Sequence, residues 1–391
     1  MMIEAVNGHV NIPDMSIYSL LQKNAEVNGS KPVIIFYDKY ITYAKLLKYV
    51  DSMAYQLEHL LNVRKGDTIG IWMDYSPQYV ISIISSMKIG ARILIIDGDI
   101  DEKIVNAYTD KYGIKVMIIC KKFAEKANNE RIKYIISDPN DFLTLGKAII
   151  NNIWNRSPVK YGKNVLKFYE FIYSDNSSKI SETSDSHSIM FHIDGKLLTF
   201  RVKDIIAPTF LINYWLPKFD GKPIFYSQIN HSTPLGLIYS ITLPISFSGT
   251  IAINKFNNMS RNSPDFIIGN PIFYSAIVEK KININSVKYC IMPFFDPKIE
   301  DVFNKYTKIP LIMGRSDQYT LTTHMNPFDD IRKGSLGLPL NYVECTVGKE
   351  NQLVVRTPYL PVIYENGEKK EYEWYDTHFM VKIIDNYYYA F

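Results

Sequence analysis

Cysteine is scarce in this chain. Only Cys120, Cys290 and Cys345 occur among 391 residues, and their wide separation excludes a disulfide framework, a zinc site or a redox pair. A reducing, cytoplasmic setting fits that usage. Net charge is low as well, +4 in total, and the basic residues are spread along the chain. The electrostatic footprint of a nucleic-acid binder is therefore missing. None of the seven histidines pairs with another at helical ligand spacing, so no histidine metal site is expected. The opening residues, MMIEAVNGHVNIPDM, lack the basic region and apolar core of a signal peptide. Only Leu235 to Ile253 runs uncharged for nearly the length of a spanning helix. Its Pro244, Gly249 and many hydroxyls predict a buried helix followed by a short strand, and no membrane span.

What is present is core-forming sequence: 47% of the residues are hydrophobic and 21% charged, the profile of a globular chain larger than one ordinary domain. Apolar periodicity predicts helices over Ile17–Asn24, Tyr43–Leu61 and Pro77–Ile89, the last with Ser76 as N-cap before a proline at the first position. Extended runs fall at Pro32–Tyr37, Thr68–Met73, Arg92–Asp97, Val116–Cys120 and Tyr134–Ile136. This alternation is that of a layered α/β domain. The polar stretch Asp175–Ser188 reads as a surface link. Short strands dominate after Gly334, such as Glu344–Val347, Gln352–Val355 and His378–Ile384. Three divisions follow: a first α/β subdomain over 1–180, a second over 186–330, and a small β-barrel-like subdomain over 331–391.

At the start of the second lies SIMFHIDGKLLTFR, residues 188–201. An Asp-Gly pair flanked by β-formers predicts a tight type I′ hairpin.

Four segments in order, Ile41-Thr-Tyr-Ala-Lys-Leu-Leu, Val63-Arg-Lys-Gly-Asp-Thr-Ile-Gly-Ile, Tyr75-Ser-Pro-Gln-Tyr-Val and Met87-Lys-Ile-Gly-Ala, resemble the opening of the adenylate-forming superfamily. That superfamily includes acyl-CoA synthetases, amino-acid adenylation domains and luciferases. Ser248-Gly-Thr-Ile-Ala-Ile, Lys333-Gly-Ser-Leu-Gly-Leu-Pro-Leu and Gln352-Leu-Val-Val-Arg-Thr-Pro extend the resemblance over nearly the whole chain. It implies the superfamily's large N-terminal lobe, with two layered α/β subdomains and a small β subdomain. The sequence stops about where the hinge to the lysine-bearing C-terminal lobe would begin, so that lobe is expected to be absent.

The resemblance also implies where a site should lie. Superfamily members cradle phosphates with a Ser/Thr/Gly-rich loop between two strands; here the chain turns on Asp194-Gly195 instead. Lys196 stands as the surviving phosphate lysine or, as is commoner beside a turn, as a solvated side chain. The Gly-Gly-Ala type stretch that leaves room for adenine is replaced by Pro293-Phe294-Phe295, whose rings either stack on a base or fill the slot. Met313-Gly314-Arg315-Ser316-Asp317 occupies the place of the aromatic-Gly-x-Thr-Glu motif, with Met313 in place of the aromatic and Asp317 keeping a carboxylate one methylene shorter. Asp317 is accordingly a candidate for Mg²⁺ through water, or else the cap of a turn. Tyr375-Asp376-Thr377-His378-Phe379 puts Phe379 where the ribose-binding Asp belongs. His231 falls near the carboxylate-pocket pair.

Losses in phosphate loop, adenine slot, ribose acceptor and catalytic lobe point to a degenerate homologue without independent ATP-dependent acyl activation. Such a chain acts as a binding or scaffold subunit, needing no cofactor, beside an active paralogue, as a homodimer, or holding an acyl ligand. The rival is an active carboxylic acid-CoA ligase using ATP, Mg²⁺ and CoA, with a divergent site or a separately encoded C-terminal lobe.

Overall fold

The computed structural model describes residues 9–98, 101–126, 129–142, 164–173, 176–179, 181, 187–317, 319, 321–365 and 368–391. Half of the expected link at Asp175–Ser188, including residues 180 and 182–186, lies outside the described residues. The chain divides into two compact units, Met15–Val202 and Met1–Asp14 together with Lys203–Phe391.

In the Met15–Val202 unit, β1 (Pro32–Phe36) and β2 (Lys39–Thr42) form a hairpin. The main strands are β3 (Thr68–Trp72), β4 (Arg92–Ile95), β5 (Ile114–Cys120), β6 (Lys133–Ser137), β7 (Val165–Lys167), β8 (His187–Ile193) and β9 (Lys196–Arg201). They lie in the order β9-β8-β4-β3-β5-β6-β7, parallel from β8 to β7 with β9 antiparallel. Continuous apolar runs suit such a sheet, which is covered on both faces; every residue of β3 is buried. The Pro77–Lys88 helix is buried all round, and the Ser76 hydroxyl accepts from the Tyr79 amide at 3.3 Å.

The hairpin forms as its sequence predicts. Asp194 and Gly195 have φ of +50° and +76°, and Ile193 pairs with Lys196. Its place differs from the expected boundary at residue 186, however. Because β8 pairs in parallel with β4 and buries Ile189, Met190 and Phe191, the hairpin completes the first sheet and does not open the second subdomain.

The second unit holds β10 (Ile224–Ser227), β11 (Thr250–Ile253), β12 (Phe266–Ile268), β13 (Tyr289–Met292), β14 (Leu311–Asp317), β15 (Leu321–Met325) and β16 (Leu338–Pro339). Their order is β16-β15-β14-β13-β12-β10-β11, parallel from β14 to β11 and antiparallel for β15 and β16. The uncharged stretch is a buried helix from Pro234 to Ser246, with a π-helical turn at Ile238–Thr242, leading into β11. Among the described residues, no helix is long and apolar enough to cross a membrane.

The expected 331–391 subdomain is a small sheet within this unit. Strands β17 (Glu344–Val347), β18 (Gln352–Arg356), β21 (Tyr375–Ile384) and β22 (Tyr387–Ala390) pair in the order β17-β18-β21-β22, with β19 (Val362–Glu365) and β20 (Glu368–Lys370) as a hairpin. A bond from Trp215 Nε1 to Asn341 Oδ1 (2.8 Å) ties it to the rest of the unit.

Lysine is almost never fully buried unless paired, yet the Lys88 side chain is 1% exposed. Its ammonium donates to Asp51 Oδ1 at 2.7 Å and Ser177 Oγ at 2.8 Å, and sits 4.4 Å over the Tyr18 ring. Tyr18 OH donates to the same Asp51 oxygen. Removing one member of a buried pair strands the other charge. Lys88→Met should therefore lower unfolding free energy by about 3 kcal/mol in urea titration, and a loss under ~1 kcal/mol would contradict this role.

Candidate functional site

In a parallel sheet, ligands bind outside the carboxyl ends of the strands. Along that edge of the second unit the chain leaves β10 toward His231, leaves β13 through Pro293-Phe294-Phe295, and ends β14 at Arg315-Ser316-Asp317. Within β14, Gly314 has a steric reason to be glycine: a Cβ there would stand 2.5 Å from the His324 carbonyl oxygen of β15. Just beyond it the ladder slips. Arg315 pairs with His324 but Ser316 with Thr322, which leaves Thr323 as the extra residue of a bulge. Bulges re-aim side chains, and Thr323 Oγ1 receives a bond of 3.1 Å from Arg315 Nη1.

Arg315 is 1% exposed. Its guanidinium pairs with Asp317 and lies 5.6 Å over the Phe379 ring, an electrostatically favourable face for a cation. Phe379 in turn meets Phe295 edge-on at 6.2 Å, and Phe295 packs on the core around Met292, Phe303 and Met313. The other Asp317 oxygen accepts from the Tyr319 amide at 2.7 Å. Both carboxylate oxygens thus have protein partners, one of them the turn cap the sequence suggested. Ser316 Oγ is 2.8 Å from Thr322 Oγ1, which also meets Tyr239 OH at 2.9 Å.

Behind this cluster runs a polar chain that the sequence reading did not identify. Thr323 Oγ1 is 3.0 Å from His324 Nδ1, and His324 Nε2 is 3.5 Å from Cys345 Sγ. Tyr388 meets the imidazole edge-on at 4.8 Å. Burial, reinforced by the nearby Arg315 charge, holds the His324 pKa down to about 3, and burial pushes the Cys345 thiol up to about 12. Both groups are neutral at physiological pH. No sequence signal marked them, since Thr323, His324 and Cys345 form no motif.

On β21, Asp376 Oδ1 accepts from the His378 amide at 2.7 Å, and His378 takes a φ of +59°. That left-handed position is where the resembled motif has glycine. His231 lies in the half-buried turn before the Pro234–Leu237 helix, pressed against Gly236, where a Cβ would come 2.0 Å from the Asn230 carbonyl. It is three strands from β14, on the order of 14 Å along the edge. Phe294 is half-buried beside Phe295. Lys196 is half-buried on β9, in the other unit. The described residues contain no group of three or more His, Cys, Asp or Glu able to hold a metal.

A family model for AMP-binding enzymes matches residues 21–167. Acetyl-coenzyme A synthetase 2 of Kluyveromyces lactis is 26% identical over 144 residues, 34% of this chain and 20% of the relative. The fold superposes on an anthranilate CoA ligase solved with anthranoyl-AMP, with a TM-score of 0.83, 15% identity, and coverage of 96% of this chain and 77% of that one. The first part of the chain is thus similar to AMP-binding enzymes, and the fold is that of CoA ligases. A benzoate CoA ligase from Burkholderia xenovorans gives a TM-score of 0.78 at 14% identity, covering 96% of this chain and 79% of its own. The curated relatives are thus matched over about a fifth of their length, whereas the lobe fold of the superfamily extends over nearly all of this chain.

The neutral state of His324 sets a pH dependence. Its ordinary value is 6.5 and its folded value about 3, so unfolding takes up a proton between these limits and stability falls as pH drops through that window. Urea unfolding at successive pH values should show a slope of up to ~1.4 kcal/mol per unit from this residue, steeper than in His324→Gln. Identical slopes in the two proteins would contradict a neutral His324.

Proposed function

We propose that this chain is a degenerate adenylate-forming lobe that does not carry out ATP-dependent acyl activation by itself, and that it serves in the cytoplasm as a binding or scaffold subunit. Its associate is an active relative or a second copy, and its ligand, where it holds one, an acyl compound. The observation that carries this reading is the closed set of contacts among Arg315, Asp317, Phe379 and Phe295.

Adenylation brings two anions together, and preorganised donors and cations do most of that work. At the positions the superfamily motifs assign to such groups, this chain has Arg315, Asp317 and Phe379 in contact with one another. The Asp317 carboxylate is engaged by Arg315 and the Tyr319 amide. A divalent cation there would compete for the carboxylate with a buried guanidinium. Phe379 has no oxygen with which to accept from ribose hydroxyls, and Phe295 contributes an apolar ring packed on the core. The phosphate-loop position is a two-residue turn. These residues do not fit ATP with Mg²⁺, and no reaction step is assigned through either.

The second reading, an active carboxylic acid-CoA ligase taking ATP, Mg²⁺ and CoA, draws on Gly314, Ser316 and Asp317, which keep the motif's backbone, hydroxyl and carboxylate. Titration calorimetry with ATP and MgCl₂ separates the two. The degenerate reading expects no saturable binding at millimolar nucleotide, and no hydroxamate trapped from fatty or aromatic acids. In Arg315→Met/Phe379→Asp the cation is removed and an acceptor introduced, and measurable nucleotide affinity should appear. Binding by the unmodified chain tighter than about 1 mM, roughly −4 kcal/mol, or robust hydroxamate formation, overturns this reading in favour of the second.

A further inference from the structure

The opposite edge of the second unit's sheet carries a cavity unrelated to any motif of the superfamily. Its volume is about 300 Å³, within the range of small-ligand sites. The segments entering β10 and β11 supply Lys218 and Phe247, and the last turns of the Lys203–Trp215 helix supply Phe210, Asn213 and Tyr214. These lie at the amino ends of parallel strands, whereas Phe295 and Asp317 lie at the carboxyl ends. A strand length of roughly 13 Å separates the two edges.

The walls are built and held. The stretch His9–Asn11 crosses one side of the cavity. Tyr342 OH donates to the Val10 carbonyl at 3.0 Å, Val10 is buried, and the His9 ring meets Tyr342 edge-on at 6.4 Å. Asn213 Nδ2 donates to Ser246 Oγ at 2.9 Å, and the Ser246 hydroxyl donates to Leu243 O at 2.7 Å. Phe247 is fixed against Phe225 and Phe266, at 5.4 and 6.0 Å. Helix, strap and strand entry thus converge on one concavity with aromatic walls.

Its charge is one-sided. No Asp or Glu lines it, and the Lys218 ammonium makes no ion pair among the described residues. A cation at the mouth of a space walled by Phe210, Tyr214 and Phe247 fits a ligand with an anionic head and a flat apolar body. We propose that this cavity is a second ligand site, one that takes small aromatic carboxylic acids, with the ring among the three aromatic side chains and the carboxylate on Lys218. This inference is independent of whether the nucleotide site is closed, because it uses none of that site's residues.

The test is fluorine NMR line broadening of 4-fluorobenzoate titrated with the full chain, with 4-fluorobenzylamine and 4-fluorobenzyl alcohol as controls. Saturable binding of the acid, at least about tenfold tighter than of amine or alcohol, is expected. Lys218→Glu should weaken it by about tenfold or more and Lys218→Arg should largely retain it. Tyr214→Ala should weaken acid and alcohol alike. Lys218 and Tyr214 are exposed, so these variants leave the core intact, and unchanged melting curves verify that. Equal binding of amine and acid, undiminished binding in Lys218→Glu, which places the acid elsewhere on the chain, or no saturable binding at all overturns the proposal.

Discussion

A buried guanidinium cannot shed its charge, so whatever surrounds Arg315 must answer it. Everything at the carboxyl edge of the second sheet follows from that requirement. Asp317 supplies the counter-charge, Thr323 a neutral acceptor, and Phe379 the negative face of its ring. The bulge between β14 and β15 places Thr323 where the guanidinium can reach it, and the bulge depends on strands close enough to demand glycine at position 314. His324 is held neutral first by its burial and then by the Arg315 charge beside it. One cation thus dictates the state of a carboxylate, a hydroxyl, an imidazole and an aromatic ring.

The scaffold was legible in the sequence because its signals are local. The Asp194-Gly195 pair demands positive φ twice, and the structure has it. Ser76 and Pro77 announce a helix start, and a helix starts there. Leu235–Ile253 lacked charge because it is buried, and its Pro244 and Gly249 punctuate it where a helix gives way to β11. What the sequence could not display was partnership across the sheet. β8 reads as well for a second subdomain as for a first, and only its pairing with β4 decides. Strand β2 and the Glu102–Tyr112 helix bury few of their residues and were not anticipated.

The site was legible as positions but not as contacts. Asp317, Arg315, Phe379 and Phe295 were each identified singly, and the structure brings these four together. His231 and Lys196 do not join them: one lies strands away, and the other belongs to a different unit. The backbone of the resembled motif outlasts its chemistry. His378 keeps the left-handed conformation of a glycine position although the residue after it is a phenylalanine. Backbone geometry is imposed by the strands that must pair, and side-chain chemistry only by what must be bound, so the two can part company.

This separation has an energetic consequence within the cluster. Removing the Arg315 charge alone releases Asp317 from its counter-ion in a site that is still largely apolar, and lifts one of the two influences that hold His324 neutral. Exchanging Phe379 alone for a carboxylate adds an anion beside a guanidinium that already has one, which strengthens the closed arrangement. The two changes therefore act in opposite senses when made singly, and their combined effect is not the sum of the parts. Such a network resists stepwise reversion: taking out the guanidinium first leaves the Asp317 charge without its partner, and adding a carboxylate first holds the guanidinium more firmly in place. Once the guanidinium is inside, every neighbour that answers it adds to the barrier against taking it out.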